Sequence, residues 1–153
     1  MKAEEKIKEK CGELPVPPMP VASYVPIAQC GNTLYLSGQG PIINGAQMYS
    51  GIVGDSCTLE DGYKAARLCG MNLLAHLKKY LGDLDRVKQI LNAKVYVASS
   101  DNFFDQPKVA NGLSDLMVEV FGEKGKHSRC ALGIKNLSGN IPVEAEIVVE
   151  IEE

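Results

Sequence analysis

The sequence is poor in the residues that metal sites and disulfide frameworks need. Its 153 residues include only two histidines, His76 and His127, and no H-x-x-x-H or H-E-x-x-H pattern occurs. The five cysteines are an odd number, and no two of them have C-x-x-C spacing. Zinc sites are built from such clusters, and disulfide scaffolds usually pair an even set of cysteines. We therefore expect no metal site and reduced thiols.

The chain also lacks a basic excess and long apolar runs. Its formal net charge is −3 and its pI is about 5.5, which argues against nucleic acid as a partner because such binders usually carry a basic face. No apolar run has the length of a membrane span. The first ten residues, MKAEEKIKEK, contain no apolar segment of signal-peptide length. We expect no contact with membranes and, with reduced thiols, a cytoplasmic location.

The patterns that are present predict one domain over residues 1–153. Residues 3–10 are charged and helix-prone, so residues 1–14 are expected to form a helical extension, followed by an extended proline run at 15–20. Apolar residues at helical spacing, with Thr58 and Gly82 as caps, predict a long helix. Pro107 and Gly122 delimit a second helix. Strands are predicted at 33–37, 42–43, 48–53, 91–97, 129–134 and 142–152.

The resulting order, β-β-α-β-α-β-β, predicts a two-layer α+β domain in which two helices cover one face of a mostly antiparallel sheet. On the last strand, valine, alanine and isoleucine residues alternate with glutamates. The other face of the sheet should then carry Lys94, Tyr96, Glu144 and Glu146. Such a face is either hydrated or packed against another copy of the chain.

Arg129 and Glu144 are the candidate functional pair on the last two strands. A guanidinium can hold a carboxylate through two parallel hydrogen bonds, and a glutamate can orient a water or accept a proton. Together they could bind a small carboxylic acid and hydrate it. The alternative is a surface ion pair, which contributes little to stability.

Several segments together resemble the reactive-intermediate imine deaminase family, also called the YjgF or L-PSP family. These segments are PVASYVP at 20–26, GNTLYLSGQGP at 31–41, GDLDRV at 82–87, SRCA at 128–131 and PVEAE at 142–146. The N-terminal helix and the DQPKVANGLSDL segment at 105–116 resemble a longer branch that is labelled putative endoribonuclease. The resemblance implies a chorismate-mutase-like fold with a ferredoxin-like sheet. It also implies a homotrimer with the sheets inside and clefts between subunits.

The resemblance further implies a reaction and the residues for it. Family members hydrolyse enamines and imines such as 2-aminoacrylate to 2-keto acids and ammonia, and they need no metal or organic cofactor. Arg129 matches the arginine that binds the substrate carboxylate, and Glu144 matches the glutamate that positions the attacking water. Tyr24 matches a tyrosine of the cleft, whereas Ser37 and Gly38 match ligand contacts through a hydroxyl and a backbone N–H. Asn111 and Ser114 both fit the family's helix asparagine, and we prefer Asn111 for its residue type.

The chain departs from the family pattern beside the arginine. Many members carry a cysteine two residues after it, where this chain has Ala131 and places Cys130 next to Arg129 instead. Because side chains alternate along a strand, Cys130 should point away from the side of Arg129, and we expect it in the core. His127 stands where an apolar residue is usual, and we expect it at the surface or the rim of the cleft.

Two other functions remain open at this point. The arginine could serve a non-catalytic module that binds 2-keto acids, with Glu144 as an exposed strand residue. The branch label suggests an endoribonuclease, but the negative charge and the absence of a histidine pair argue against it.

Overall fold

Three helices and seven strands build the fold over residues 2–153, which the computed structural model describes. They are α1 (Ala3–Cys11), β1 (Ile27–Cys30), β2 (Thr33–Leu36), β3 (Ile42–Ile43), β4 (Ala46–Gln47), α2 (Leu59–Leu81), β5 (Val87–Ala98), α3 (Gln106–Phe121), β6 (Ser128–Ile134) and β7 (Val143–Ile151). Five strands form one sheet in the order β1-β2-β7-β5-β6. Only β5 and β6 pair in parallel within it.

The sheet has one covered face and one open face. Along β7 the residues alternate strictly between buried and half-buried, and the buried set packs with α2 and α3 into one core. Burying side chains of this size stabilises the fold by about 1.5–3 kcal/mol each. Lys94, Tyr96, Glu144 and Glu146 lie half-buried on the open face. The predicted two-layer α+β arrangement is therefore confirmed.

Both long helices begin and end at the residues that the sequence indicates. The Thr58 hydroxyl accepts a hydrogen bond from the Asp61 N–H at 3.0 Å, and the N–H of Gly82, at φ 80°, donates to the Lys78 carbonyl. Pro107 lies in the first turn of α3, and Gly122 ends it with φ 63°. No helix within residues 2–153 is long and apolar enough to cross a membrane.

The strands at the margins of the sheet differ from the prediction. Ile42–Ile43 pairs with Ala46–Gln47 and not with residues 48–53. Asn44 and Gly45 both have positive φ, at 49° and 83°, so they form a two-residue turn that fixes the partner strand immediately after it. The edge strand Ile27–Cys30 was not predicted, because only Ile27 of its four residues is buried. Strand β5 begins at Val87, four residues before its predicted start, and contains two register shifts.

Helix α1 is attached to the domain by a cluster of acidic groups and by two buried side chains. The Glu4 carboxylate accepts hydrogen bonds from Lys78 Nζ at 2.8 Å and from the Leu84 N–H at 3.0 Å. The Ala3 N–H donates to Asp85 at 3.0 Å. Ala3 and Ile7 are buried in the core. The carboxylates at this junction are thus occupied in holding α1 in place.

Candidate functional site

Arg129 lies on the edge strand β6 and points to the helix side of the sheet. Its partner in the register is Ala93, which is fully buried under the helices. The Arg129 Nη1 atom donates to Asn111 Oδ1 at 2.8 Å and to Ser114 Oγ at 3.1 Å. Both α3 residues that fitted the helix position therefore contact the arginine, because they lie about one turn apart on the same helical face.

This pair of contacts leaves one edge of the guanidinium open. Nη1 carries two hydrogens, and the two contacts use both of them. Among residues 2–153, no group accepts a hydrogen bond from Nε or Nη2. These two atoms present parallel N–H groups on one side of the planar guanidinium, which is the arrangement that binds a carboxylate bidentately.

Glu144, the second residue of the predicted functional pair, lines a cavity of about 290 Å³. Tyr24 and Gly38 also line this cavity. Gln39 brings the segment after β2 alongside β7, because its N–H donates to the Ala145 carbonyl at 2.8 Å and its carbonyl accepts from the Ala145 N–H at 3.1 Å. A Cβ on Gly38 would lie 3.1 Å from Glu144 Oε1. A glycine at this position therefore gives the carboxylate its space.

The environment of Glu144 makes this group a weaker acid than an exposed glutamate. Burial raises the pKa of this carboxyl, and the negative charge of Glu146 raises it further. Glu146 itself accepts a hydrogen bond from the Tyr96 hydroxyl at 2.8 Å. This hydrogen bond, followed by burial, raises the pKa of Tyr96 to about 12. The Glu144 carboxylate is therefore a stronger base towards a bound water than the carboxylate of an exposed glutamate.

Gly38 lines the cavity, whereas Ser37, which was also predicted to contact the ligand, does not. The Ser37 hydroxyl donates to the Val25 carbonyl at 2.7 Å and so fixes the loop that carries Tyr24. The Gly38 N–H has no acceptor among residues 2–153, and it lies beside Glu144. Tyr24 is 51% exposed. The cavity thus combines a free backbone donor, a carboxyl group and an accessible phenol.

The two groups of residues lie on opposite faces of the sheet within one chain. Glu144 pairs with Tyr96 on β5, whereas Arg129 pairs with Ala93, three residues earlier on the same strand. Positions separated by an odd number of residues face opposite sides, and β5 also separates β6 from β7. The alternative prediction, a surface ion pair between Arg129 and Glu144, is therefore wrong for one chain. The same geometry excludes a site within one chain that contains both residues.

Cys130 is exposed, and the prediction of a core position for it is wrong. The predicted alternation holds, since Cys130 and Arg129 point to opposite sides. However, it is Arg129 that faces the helix layer, at the edge of the sheet, and Cys130 that faces the open side. The alternation of one strand does not indicate which of its faces is covered.

The apolar walls of the cavity were not predicted as part of the site. Residues 18–20 of the proline run and the adjacent Val21 form one wall, and Ile42 and Ile141 form part of another. In the sequence the prolines indicate only an extended segment. The high proportion of prolines just before Tyr24 was the one sequence feature that indicated a segment of fixed position beside the site.

A larger cavity of about 660 Å³ lies between α1, α2 and the β3–β4 hairpin. None of the predicted site residues lines it. The arginine that lines the larger cavity, Arg67, already pairs with Glu119 at 2.7 Å and contacts Cys11 Sγ at 3.2 Å. We therefore take the smaller cavity, which contains Glu144, as the candidate site.

Comparison with known proteins places the chain in a family. Residues 4–144 match the family described as "YjgF/chorismate mutase-like, putative endoribonuclease". The chain is 40% identical to Protein TCP17 of Trypanosoma cruzi over 91% of this chain and 88% of that protein. It is 27% identical to a 2-iminobutanoate/2-iminopropanoate deaminase of Dermatophagoides farinae over 90% of this chain and 93% of that protein.

A solved structure agrees with this match over nearly the whole chain. It is described as a "putative endoribonuclease" from Shewanella oneidensis and has a TM-score of 0.95 at 32% identity. The alignment covers 99% of this chain and 100% of that structure. The match of the family to 141 residues, together with this structural agreement, confirms the resemblance found in the sequence. The chain belongs to the YjgF/chorismate-mutase-like family.

Proposed function

We propose that this protein hydrolyses small imines that carry a carboxylate, and the enamines in equilibrium with them, to 2-keto acids and ammonia. The single observation that carries the proposal is the open Nε and Nη2 edge of Arg129, which is held in place by Asn111 and Ser114. The likeness to a 2-iminobutanoate/2-iminopropanoate deaminase supports the same reaction.

The catalytic site is formed between two chains in this proposal. Arg129 and Glu144 lie on opposite faces of the sheet, so one chain supplies the carboxylate anchor and another supplies the Glu144 cavity. The open face also carries polar and apolar side chains that a second copy could cover, including Tyr35, which is 53% exposed, and Leu132, which is 42% exposed. A homotrimer with three equivalent clefts satisfies this requirement through a repeated head-to-tail contact.

The reaction requires positioning more than it requires a strong catalyst. The protonated imine carbon is already electrophilic, and Glu144 would hold a water against it and accept one of its protons. Attack of the water forms a C–O bond and a carbinolamine, and Glu144 then passes the proton it accepted to the nitrogen. The C–N bond breaks as the hydroxyl becomes the keto group, and the departing ammonia takes up the hydroxyl proton as ammonium, so that a 2-keto acid remains. Holding the reacting atoms in this geometry is itself a large source of rate enhancement. For an enamine, the protonated form of Glu144 can first donate to the carbon and give the imine.

The shape of the cavity favours a short aliphatic side chain on the substrate. Pro18, Met19 and Pro20 line it together with Ile42 and Ile141. Apolar walls of this kind bind an alkyl group through the hydrophobic effect, whereas the polar groups lie near Glu144 and Gly38. We therefore assign 2-iminobutanoate and 2-aminoacrylate as test substrates.

A non-catalytic module that binds 2-keto acids is the second candidate. One observation favours it: the Arg129 anchor is complete within one chain and does not need Glu144. An endoribonuclease activity receives no comparable support. His76 is buried, and both ring nitrogens of His127 are already hydrogen-bonded, so neither is placed as an acid or base for RNA cleavage.

The decisive experiment compares wild type with Glu144→Gln. 2-Aminoacrylate is generated in situ by a pyridoxal-phosphate lyase, and the release of keto acid is measured over time. The binding of 2-oxobutanoate is measured in parallel on the same proteins. We expect Glu144→Gln to reduce kcat about 100-fold or more while 2-oxobutanoate still binds. Equal turnover by the two proteins would refute the role of Glu144, and binding without turnover by wild type would establish the second candidate.

A further inference from the structure

His127 is connected to the carboxylate anchor by a chain of hydrogen bonds that the family resemblance did not suggest. Its Nε2 atom lies 2.8 Å from Ser114 Oγ, and its Nδ1 atom lies 2.6 Å from the Gly125 carbonyl oxygen. Ser114 Oγ in turn accepts from Arg129 Nη1 at 3.1 Å. The imidazole is half-buried at the turn between α3 and β6. It therefore contacts the residue that contacts the arginine.

For a neutral His127 ring, the chemistry of these groups fixes the direction of each hydrogen bond. A carbonyl oxygen can only accept, so Nδ1 of His127 carries a hydrogen and donates it to Gly125. In the neutral ring the other nitrogen, Nε2, is then an acceptor. The single hydroxyl hydrogen of Ser114 points to Nε2. Its lone pairs are consequently directed towards Arg129, whose Nη1 can only donate.

We propose that His127 is a positioning residue for substrate binding: it holds the Ser114 hydroxyl as an acceptor for Arg129 and so presents the Nε and Nη2 edge of the guanidinium to the substrate carboxylate. Asn111 Oδ1 holds the second hydrogen of Nη1 at 2.8 Å. The inference rests on the proposed function. It extends that function to a residue which touches neither the substrate nor Arg129.

The arrangement is similar in principle to the outer contacts that orient metal ligands. Such contacts fix a side chain that would otherwise sample several rotamers, and their loss weakens binding without removing the binding group. Arginine has many rotamers, and orienting it in advance reduces the entropy that is lost when a ligand binds. The contribution should therefore appear in the affinity for carboxylates and not in the chemical step.

The test compares His127→Leu with His127→Gln in the full-length protein. A glutamine amide oxygen can take the place of Nε2 and accept from Ser114, whereas leucine fills the space without an acceptor. The Kd for 2-oxobutanoate is measured by calorimetry, and KM and kcat are measured with 2-aminoacrylate. We expect His127→Leu to raise Kd and KM about threefold to tenfold, the effect of losing one neutral hydrogen bond, with kcat unchanged. His127→Gln should remain within about twofold of wild type.

A double variant identifies the path of the effect. If His127 acts through Ser114, then Ser114→Ala and the double variant with His127→Leu should have the same Kd, because the second change removes nothing further. Additive losses in the double variant would overturn the inference. Equal Kd values for His127→Leu and His127→Gln would also overturn it, whatever the effects on stability.

The outcomes separate this inference from the proposed function. Loss of binding in Arg129→Ala with no loss in His127→Leu would leave the proposed function intact and overturn the role of His127. Absence of 2-oxobutanoate binding and of turnover in wild type would overturn both.

Discussion

Arg129→Ala removes the guanidinium to which we assign the substrate carboxylate, and the structure indicates how much binding this should cost. The two free donors, Nε and Nη2, can make two charge-assisted hydrogen bonds, each contributing about 1.5–3 kcal/mol. The sum, about 3–6 kcal/mol, corresponds to a loss of about 100-fold to 10,000-fold in kcat/KM. Because Arg129 is half-buried and not enclosed in the single chain, we expect the lower part of this range, about 100-fold to 1,000-fold.

The assay is hydrolysis of 2-aminoacrylate or 2-iminobutanoate by purified protein, with the Kd for 2-oxobutanoate measured on the same preparations. Arg129→Lys provides a graded control, since it keeps the charge but lacks the planar pair of donors, and it should lie between wild type and Arg129→Ala. Lys135→Ala is the matched control for loss of a positive charge, because Lys135 is exposed just beyond the end of β6. Equal losses in Lys135→Ala and Arg129→Ala would refute the reasoning, as would unchanged turnover in Arg129→Ala.

Three further predictions concern stability and the space around Glu144. Because the pKa of Glu144 is raised, the folded state binds more protons than the unfolded state between the ordinary carboxyl pKa and the pKa in the folded protein. The free energy of unfolding therefore falls as the pH rises between these two pKa values. Glu144→Gln should therefore raise the thermal midpoint at pH 7, with a gain that shrinks below about pH 4, and a gain unchanged by pH would contradict this. Gly38→Ala should lower kcat/KM about tenfold or more by displacing the Glu144 carboxylate, with far-UV circular dichroism unchanged. Gly112→Ala should lower the free energy of unfolding by at least about 2 kcal/mol in urea melts, because its Cβ would collide with the Tyr63 carbonyl on α2.

The elements with complete local signals could be predicted from the sequence. Buried and half-buried residues alternate along β7 without interruption, and α2 has Thr58 as its N-cap and Gly82 as its C-cap. These features depend on neighbouring residues only. The partner of β3 was missed because a tight Asn-Gly turn selects the residues directly after it, while the sequence at 48–53 looked more like a strand.

The placement of the site could be predicted only in part. Of the predicted residues, Tyr24, Gly38 and Glu144 line one cavity, whereas its apolar walls were not predicted. Asn111 and Ser114 both contact Arg129, so the structure does not choose between them. The sequence did not indicate that Arg129 and Glu144 face opposite sides, because this depends on the register in which β6 and β7 pair with β5. The exposed position of Cys130 was missed because the burial of a residue on an edge strand is decided by what covers that face of the strand.

The formation of each site by two chains is the central claim, and its most direct test is a mixed assembly of Arg129→Ala and Glu144→Gln. Each variant alone should be nearly inactive, because every cleft lacks one of the two groups. In a random one-to-one mixture with a cyclic head-to-tail contact, about one quarter of the clefts combine an intact Arg129 with an intact Glu144. Co-expressed and co-purified variants should therefore recover about one quarter of wild-type turnover, whereas Arg129→Ala mixed with the double variant should recover none. A mixed assembly that stays as inactive as its parents would contradict the account.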